Sequence, residues 1–234
     1  MALNSYPIYG NTDSFYNILS GSGLFTTVTK SVVEGVKTIT CADPLGTRFV
    51  TKVTNVNGEG AEQFGSQCGH TYYFGNNNHW NCGDFDGSYE TAEARFPHIV
   101  YTTTSSIVVV MTTRNNLSAT WPLKVLVLTK DNNGSVGVLT SNSYDDGLWN
   151  NDYPRAISRE APSPLLFSSD SVIARIGSAA TLVPITTNDV SKVVFFPKLF
   201  RAVSTQFKDT QIGLSTLNNN EYLSLYGAVF VKID

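Results

Sequence analysis

Leu123-Lys-Val-Leu-Val-Leu-Thr129, Lys130, Asp131-Asn-Asn-Gly134 and Ser135-Val-Gly-Val-Leu-Thr140 read in succession as a strand, a turn and a second strand. Both flanks are rich in β-branched and aliphatic residues, which fit a pleated sheet, and Asn-Gly tolerates the positive φ of a tight hairpin. The pattern repeats along the chain. Strands are expected at Leu24–Val33, Val36–Cys41, Arg48–Thr54, His70–Phe74, His98–Thr103, Ile107–Thr113, Leu123–Thr129 and Ser135–Thr140, then at Val172–Ile176, Thr181–Ile185, Lys192–Phe196, Gln211–Leu217, Tyr222–Leu225 and Ala228–Ile233. Spacing of about ten residues with turn formers between is the signature of a sandwich or barrel. Asn218-Asn-Asn220 offers a second tight turn before the last two strands. Helical periodicity is confined to Thr12–Leu19 and a stretch around Tyr89–Arg95. The fold class is therefore all-β: an antiparallel sandwich or barrel-like arrangement with long loops and little helix.

The rhythm breaks between Ser141 and Ser169, where Asp145-Asp-Gly-Leu-Trp-Asn-Asn-Asp-Tyr-Pro154 and Ala161-Pro-Ser-Pro164 supply turn formers in place of strand. A connection of that length is a functional loop, a linker or an arm. The expected organisation is a β-rich domain over 1–140, a loop, linker or arm over 141–169, and C-terminal strands over 170–234 that can belong to the same domain.

Composition narrows the function. Charged residues make up only 15% of the 234, and 25 Thr, 23 Ser, 20 Asn and 18 Gly fill more than a third of the chain. Such a neutral polar surface suits extracellular modules, lectins and virus particles better than cytosolic enzymes. Net charge is −3 with Lys and Arg scattered, so no phosphate-tracking stripe is present and nucleic acid is not an expected partner. The longest apolar runs, Ile107–Met111 and Val193–Phe196, are too short to span a bilayer as helices, so no membrane association is expected. The first residues, Met-Ala-Leu-Asn-Ser-Tyr-Pro, lack the basic and apolar segments of a secretion signal. An exterior-type composition without that signal fits a component made in a host cytoplasm and released as part of a particle.

One array carries sharp chemistry. Cys68-Gly-His70 and His79-Trp-Asn-Cys82 place two thiols and two imidazoles within fifteen residues, separated by a Gly75-Asn-Asn-Asn78 turn. These are the ligands zinc prefers, and a hairpin bringing both pairs together would make a filled, structural site. The competing reading makes them ordinary strand residues, with the cysteines packed as small apolar groups and the histidines at the surface. Under that reading no cofactor is needed. The run from Cys82 through Asp84, Asp86 and Gly87 to Glu93 follows calcium-loop spacing, but Cys stands where the first oxygen ligand belongs. With three cysteines, a Cys68–Cys82 disulfide would leave Cys41 over.

A second candidate is the acidic-aromatic loop of Tyr144, Asp145, Asp146, Trp149, Asp152 and Tyr153. Its rings would stack on a pyranose face and its carboxylates bond sugar hydroxyls, so a glycan is one expected ligand; an interface with another subunit is the other. No Gly-x-Ser-x-Gly elbow, phosphate-binding loop or His-Glu-x-x-His is present, and the chain reads as a non-enzyme.

Leu182-Val-Pro184, Val194-Phe-Phe-Pro-Lys-Leu-Phe200, Asn219-Asn-Glu-Tyr-Leu223 and Ala228-Val-Phe-Val-Lys-Ile-Asp234 carry a resemblance. In these residues the C-terminal third is similar to the ending of small virion structural proteins of tailed bacteriophages. The resemblance covers roughly a fifth of the chain and implies a β-rich subunit of a symmetric particle, a homo-oligomer that also contacts other virion proteins. It implies no catalytic residues. Val229, Val231 and Ile233 alternate along the last strand, which is expected to form an exposed edge unless a neighbouring subunit covers it. A carbohydrate-binding module or adhesin using Tyr144–Tyr153 is the alternative function, and a zinc-stabilised domain or hydrolase the third.

Overall fold

The hairpin of Leu123–Thr140 lies in the middle layer of a stack of three antiparallel sheets. A computed structural model describes residues 12–55, 66–74, 78–86, 98–112, 122–142, 155–159, 165–166, 181–189, 192–203, 212–225 and 229–233. The first sheet is a meander of β1 (Thr27–Val33), β2 (Val36–Ala42), β3 (Arg48–Asn55), β4 (Ser66–Tyr73) and β5 (His79–Asp86). The second continues in chain order through β6 (His98–Thr102), β7 (Ser106–Thr112), β8 (Pro122–Lys130), β9 (Val136–Asn142), β10 (Arg155–Ile157) and β11 (Leu165–Leu166). The third contains β12 (Thr181–Asp189), β13 (Lys192–Val203), β14 (Ile212–Leu217), β15 (Asn220–Leu225) and β16 (Val229–Lys232), in the spatial order β12-β13-β16-β15-β14.

The second sheet is covered on both faces. Ile107, Val109, Leu126, Leu128, Val136 and Val138 pack with Ile39, Phe49, Val53 and Tyr72 of the first sheet. Their neighbours Val108, Val110, Val125, Val127 and Leu139 point the other way and pack with Leu199, Leu223, Val229 and Val231 of the third. A strand buried on one face alternates polar with apolar, whereas a strand buried on both must be apolar throughout. This is why Ile107–Val110 and Val125–Leu128 are unbroken apolar runs, with every one of those side chains fully buried.

The helix α1 (Thr12–Gly21) packs beside β1 and β2 on the core side of the first sheet. Phe15 and Leu19, four residues apart on one helical face, enter the same core. The helix stops where Ser22 Oγ donates to the Leu19 carbonyl at 2.8 Å and Gly23 takes a φ of +70°.

Turn chemistry sets the registers. Glu34 and Gly35 (φ 49° and 76°) form the mirror-image two-residue turn of the β1–β2 hairpin, and Asn218 and Asn219 (φ 49° and 63°) that of β14–β15. The Asp131–Gly134 connection departs from the simple Asn-Gly expectation. Only Gly134 has positive φ (83°), and its N–H donates to the Asp131 carbonyl at 3.0 Å. The loop is therefore an ordinary turn followed by a left-handed glycine, selected because the Asp131 side chain caps it from within.

The segment 141–169, read as poor in strand, contributes β10 and β11 to the middle sheet. The expectation for the last strand is corrected. β16 is no edge: it pairs with β13 on one side and β15 on the other, with Val229, Val231 and Ile233 buried. Alternation reveals which residues face a core, but not whether both ladders of a strand are filled. The helix expected at Tyr89–Arg95 and the strand at Val172–Ile176 lie outside the described residues.

In β13 the pairing with β12 jumps from Pro184↔Phe200 to Ile185↔Phe196. Pro197 occupies this irregularity, where its missing N–H disrupts no ladder. The jump also lets Phe196 and Leu199, three residues apart, enter the same core. Phe196 then presses against Gly137 of β9. A Cβ on Gly137 would stand 2.3 Å from Phe196 Cε1 and 2.9 Å from the Ile157 carbonyl oxygen.

Gly137→Ala is therefore expected to destabilise the protein by about 1–3 kcal/mol in denaturant unfolding. Gly213→Ala, where an added Cβ meets nothing within 4 Å, should stay within about 0.5 kcal/mol. Equal effects at the two glycines would refute the close packing of β9 on β13.

Candidate functional site

The Cys68–Cys82 array lies on the β4–β5 hairpin, as its turn signal requires. His70 is fully buried. Its ring stacks on Phe49 (centroids 5.5 Å, planes 13° apart) and meets Phe15 edge-on at 6.3 Å. Its Nδ1 lies 2.9 Å from Thr51 Oγ1, on the strand paired with it. Cys82 is also buried, and loss of solvent pushes its thiol well above the ordinary cysteine range. Burial likewise raises the Cys41 thiol to about 12. Both thiols are thus held protonated, unlike the thiolates that attack substrates.

His79 sits elsewhere. It is exposed, opposite Tyr73 at the turn end of the hairpin, with ring centroids 5.4 Å apart. It stands three positions before Cys82, an odd step that turns the two to opposite faces and sets them about 10 Å apart along the strand. Zinc bonds of about 2 Å cannot bridge that distance. The structure thus brings His70 and Cys82 into the core and leaves His79 outside. The Cys68 side chain lies outside the described residues, and among the described residues no group of three or more His, Cys, Asp or Glu could hold a metal ion.

The buried polar chemistry is concentrated instead at a junction that the sequence analysis did not single out. Asp43 follows β2 in the turn Asp43-Pro-Leu-Gly46-Thr47, and Asp131 follows β8 in Asp131-Asn-Asn-Gly134-Ser135. Each carboxylate Oδ1 accepts two main-chain N–H groups of its own turn: Leu45 and Thr47 at 2.9 Å each for Asp43, Asn133 at 2.8 Å and Ser135 at 3.1 Å for Asp131. Gly46 and Gly134 take the same left-handed conformation, with φ of 88° and 83°. The recurrence Asp-x-x-Gly-Thr/Ser between two strands is the signal that could have paired these turns in advance.

The two turns are joined through Asp43. Its Oδ2 accepts the Ser135 hydroxyl at 3.2 Å and the Val136 N–H at 2.9 Å. Burial works to raise its pKa, but the donors from Thr47, Val136 and Ser135 outweigh that and hold the carboxyl below its ordinary value. Beside it the Tyr72 hydroxyl donates to the Val136 carbonyl at 2.7 Å. Burial, then the charges of Asp43 and Asp131, push that phenol far above its usual range. On the far side of the same turn, Asn132 Oδ1 accepts the Phe195 N–H at 3.0 Å and the Asn132 N–H donates to the Phe195 carbonyl at 2.9 Å. One five-residue turn therefore contacts the first sheet through Ser135 and the third through Asn132.

Among the described residues, these groups lie within hydrogen-bonded protein. A depression of about 240 Å³ between the end of α1 and the β6–β7 turn is lined by Ile18, Gly21, Ser22, Thr102, Thr103 and Thr104, none of which titrates near neutral pH. The loop candidates Tyr144, Asp145, Asp146, Trp149, Asp152 and Tyr153, and all of the calcium-like run beyond Asp86, lie outside the described residues. Against known proteins, the chain matches no family model, no curated protein and no solved structure.

Two measurements follow. Because the folded pKa of Asp43 is depressed, its stabilisation is complete above the unfolded value near 4 and is lost as pH falls through the folded value. Asp43→Asn, which sets an amide donor against the Val136 N–H, should cost about 1–3 kcal/mol at pH 7. That cost should shrink between roughly pH 5 and pH 2; a pH-independent difference would contradict the ionised bracket. His70→Ala should cost at least about 2 kcal/mol as a core deletion, and His79→Ala less than about 0.5 kcal/mol, with chelator present or absent. Matching losses that vanish in chelator would instead restore the four-ligand zinc reading.

Proposed function

We propose that this chain is a non-enzymatic structural subunit of a bacteriophage particle, assembling with copies of itself and with other virion proteins. The observation that carries this reading is how the described reactive groups are used. Asp43, Asp131, Tyr72, Thr51 and His70 bond main chain or one another inside the stack, and the Cys41 and Cys82 thiols are buried. Large apolar side chains, by contrast, are exposed on hairpin tips, turns and outer strands: Val32, Val33, Leu45, Phe195 and Leu214. An interior that fastens layers together, under a neutral polar surface with isolated apolar contacts, supports assembly over turnover. The similarity of the C-terminal strands to phage virion proteins supports the particle as the setting.

Mass measurement of the purified full chain in solution tests the reading. A discrete homo-oligomer at micromolar concentration is expected, and a monomer would overturn it. Specific binding on a glycan array, lost in Trp149→Ala, would favour the adhesin alternative.

A further inference from the structure

We infer that β14 is a self-pairing edge, through which a second copy of this chain adds antiparallel about a two-fold axis and continues the third sheet. The inference rests on the assembly reading above and names the surface that performs it. Three cross-strand registers align one row of side chains across the sheet: Leu199↔Val231, Leu223↔Val231 and Leu214↔Leu223. Leu199, Val231 and Leu223 are fully buried against the middle layer, but Leu214 at the end of the row is 45% exposed. The core row therefore runs off the side of the molecule on an apolar residue.

Among the described residues, the backbone at this edge is equally open. The Asn218–Asn219 turn has two residues, so Leu217 and Asn220 exchange hydrogen bonds and the pairing state alternates from there. Ser215 and Gly213 direct their N–H and C=O toward β15, while Thr216, Leu214 and Ile212 direct theirs away from the sheet. A two-fold axis at Leu214 pairs Leu214 with its own mate and Ile212 with Thr216 of the second copy, forming about six main-chain hydrogen bonds. The apolar row then runs unbroken from one Leu199 to the other.

Charge selects the second copy as the occupant and β14 as the edge. Ile212–Leu217 contains neither a charge nor a proline, so self-pairing places no like charges together. The other described edges are guarded. β12 carries Pro184 beside its register shift, β5 carries Asp84 and Asp86, and β11 has only two residues. In β1 the midpoint is Lys30, which in a centred two-fold pair would face its own mate. β6 belongs to the middle layer, and its Val100 and Tyr101 are buried between the outer sheets. Natural sheets use proline, charge and short strands to block edge pairing, and β14 has none of these.

The test uses the full chain. Leu214→Lys sets two ammonium groups opposite one another and should weaken self-association at least tenfold in dilution experiments read by mass, with the unfolding temperature unchanged. Val32→Lys, the same charge change on exposed β1, should alter it less than twofold. Leu214→Cys, treated with copper–phenanthroline, should give a crosslinked dimer, because hydrogen-bonded partners stand about 5.5 Å apart at Cα, within disulfide reach. Val32→Cys should not. An oligomer unaffected by Leu214→Lys and not crosslinked at Leu214→Cys would overturn this edge while leaving assembly intact. A monomeric wild-type chain would overturn both.

Discussion

The Asp43 carboxylate accepts four hydrogen bonds from two hairpins that lie in different sheets. A buried charge is tolerated only when its lone pairs are matched, and the match here needs both hairpins at once. The first sheet must deliver the Leu45 and Thr47 amides, and the second the Ser135 hydroxyl and Val136 amide. A sliding of either layer would leave an ionised group partly unpaired in the interior. Hydrophobic contact between sheets is nondirectional and would accept several offsets; the carboxylate accepts one. Ser135 transmits the constraint, since its amide serves Asp131 while its hydroxyl serves Asp43.

The third sheet is positioned by the same turn. Asn132 reads the main chain of Phe195 with both donor and acceptor, as a strand partner would. Gly137, a few residues on, admits the ring of the next residue, Phe196. The apolar core supplies most of the cohesion between layers, while these few contacts decide their relative placement. The hydroxyl- and amide-rich composition thus acts inside as well as outside: Thr51, Ser106, Thr129, Ser135 and Thr140 are buried and hydrogen-bonded between strands or layers.

Much of this fold was legible from the sequence because β-rich segments and turn formers are local signals. Thr12–Leu19 was read as a helix, and the turns at Asp131–Gly134 and Asn218–Asn220 join paired strands. Layer number was not legible. The run Ile107–Met111 announces burial on both faces only when the sheets on either side are known. For β16, the alternation of Val229, Val231 and Ile233 is equally compatible with an edge and a centre, since filling of the ladder depends on strands far away in the chain. The site was harder still. Cys, His, His and Cys are close in sequence, yet strand parity separates His79 from Cys82. Asp43 and Ser135 are 92 residues apart and join only in three dimensions.

The insertion of β16 between β13 and β15 orders events during synthesis. Every other neighbouring pair among the described strands is consecutive in the chain and can zip as soon as both members leave the ribosome. The β14–β15 hairpin cannot join the rest of its sheet that way, because the slot linking it to β13 is filled by a strand translated later. Until β16 arrives, the hairpin is tethered but undocked, and Leu214 has no row of packed side chains to extend. Under the proposed pairing, nascent chains crowded on one messenger would therefore lack a finished edge, and association would be deferred until the sheet is whole.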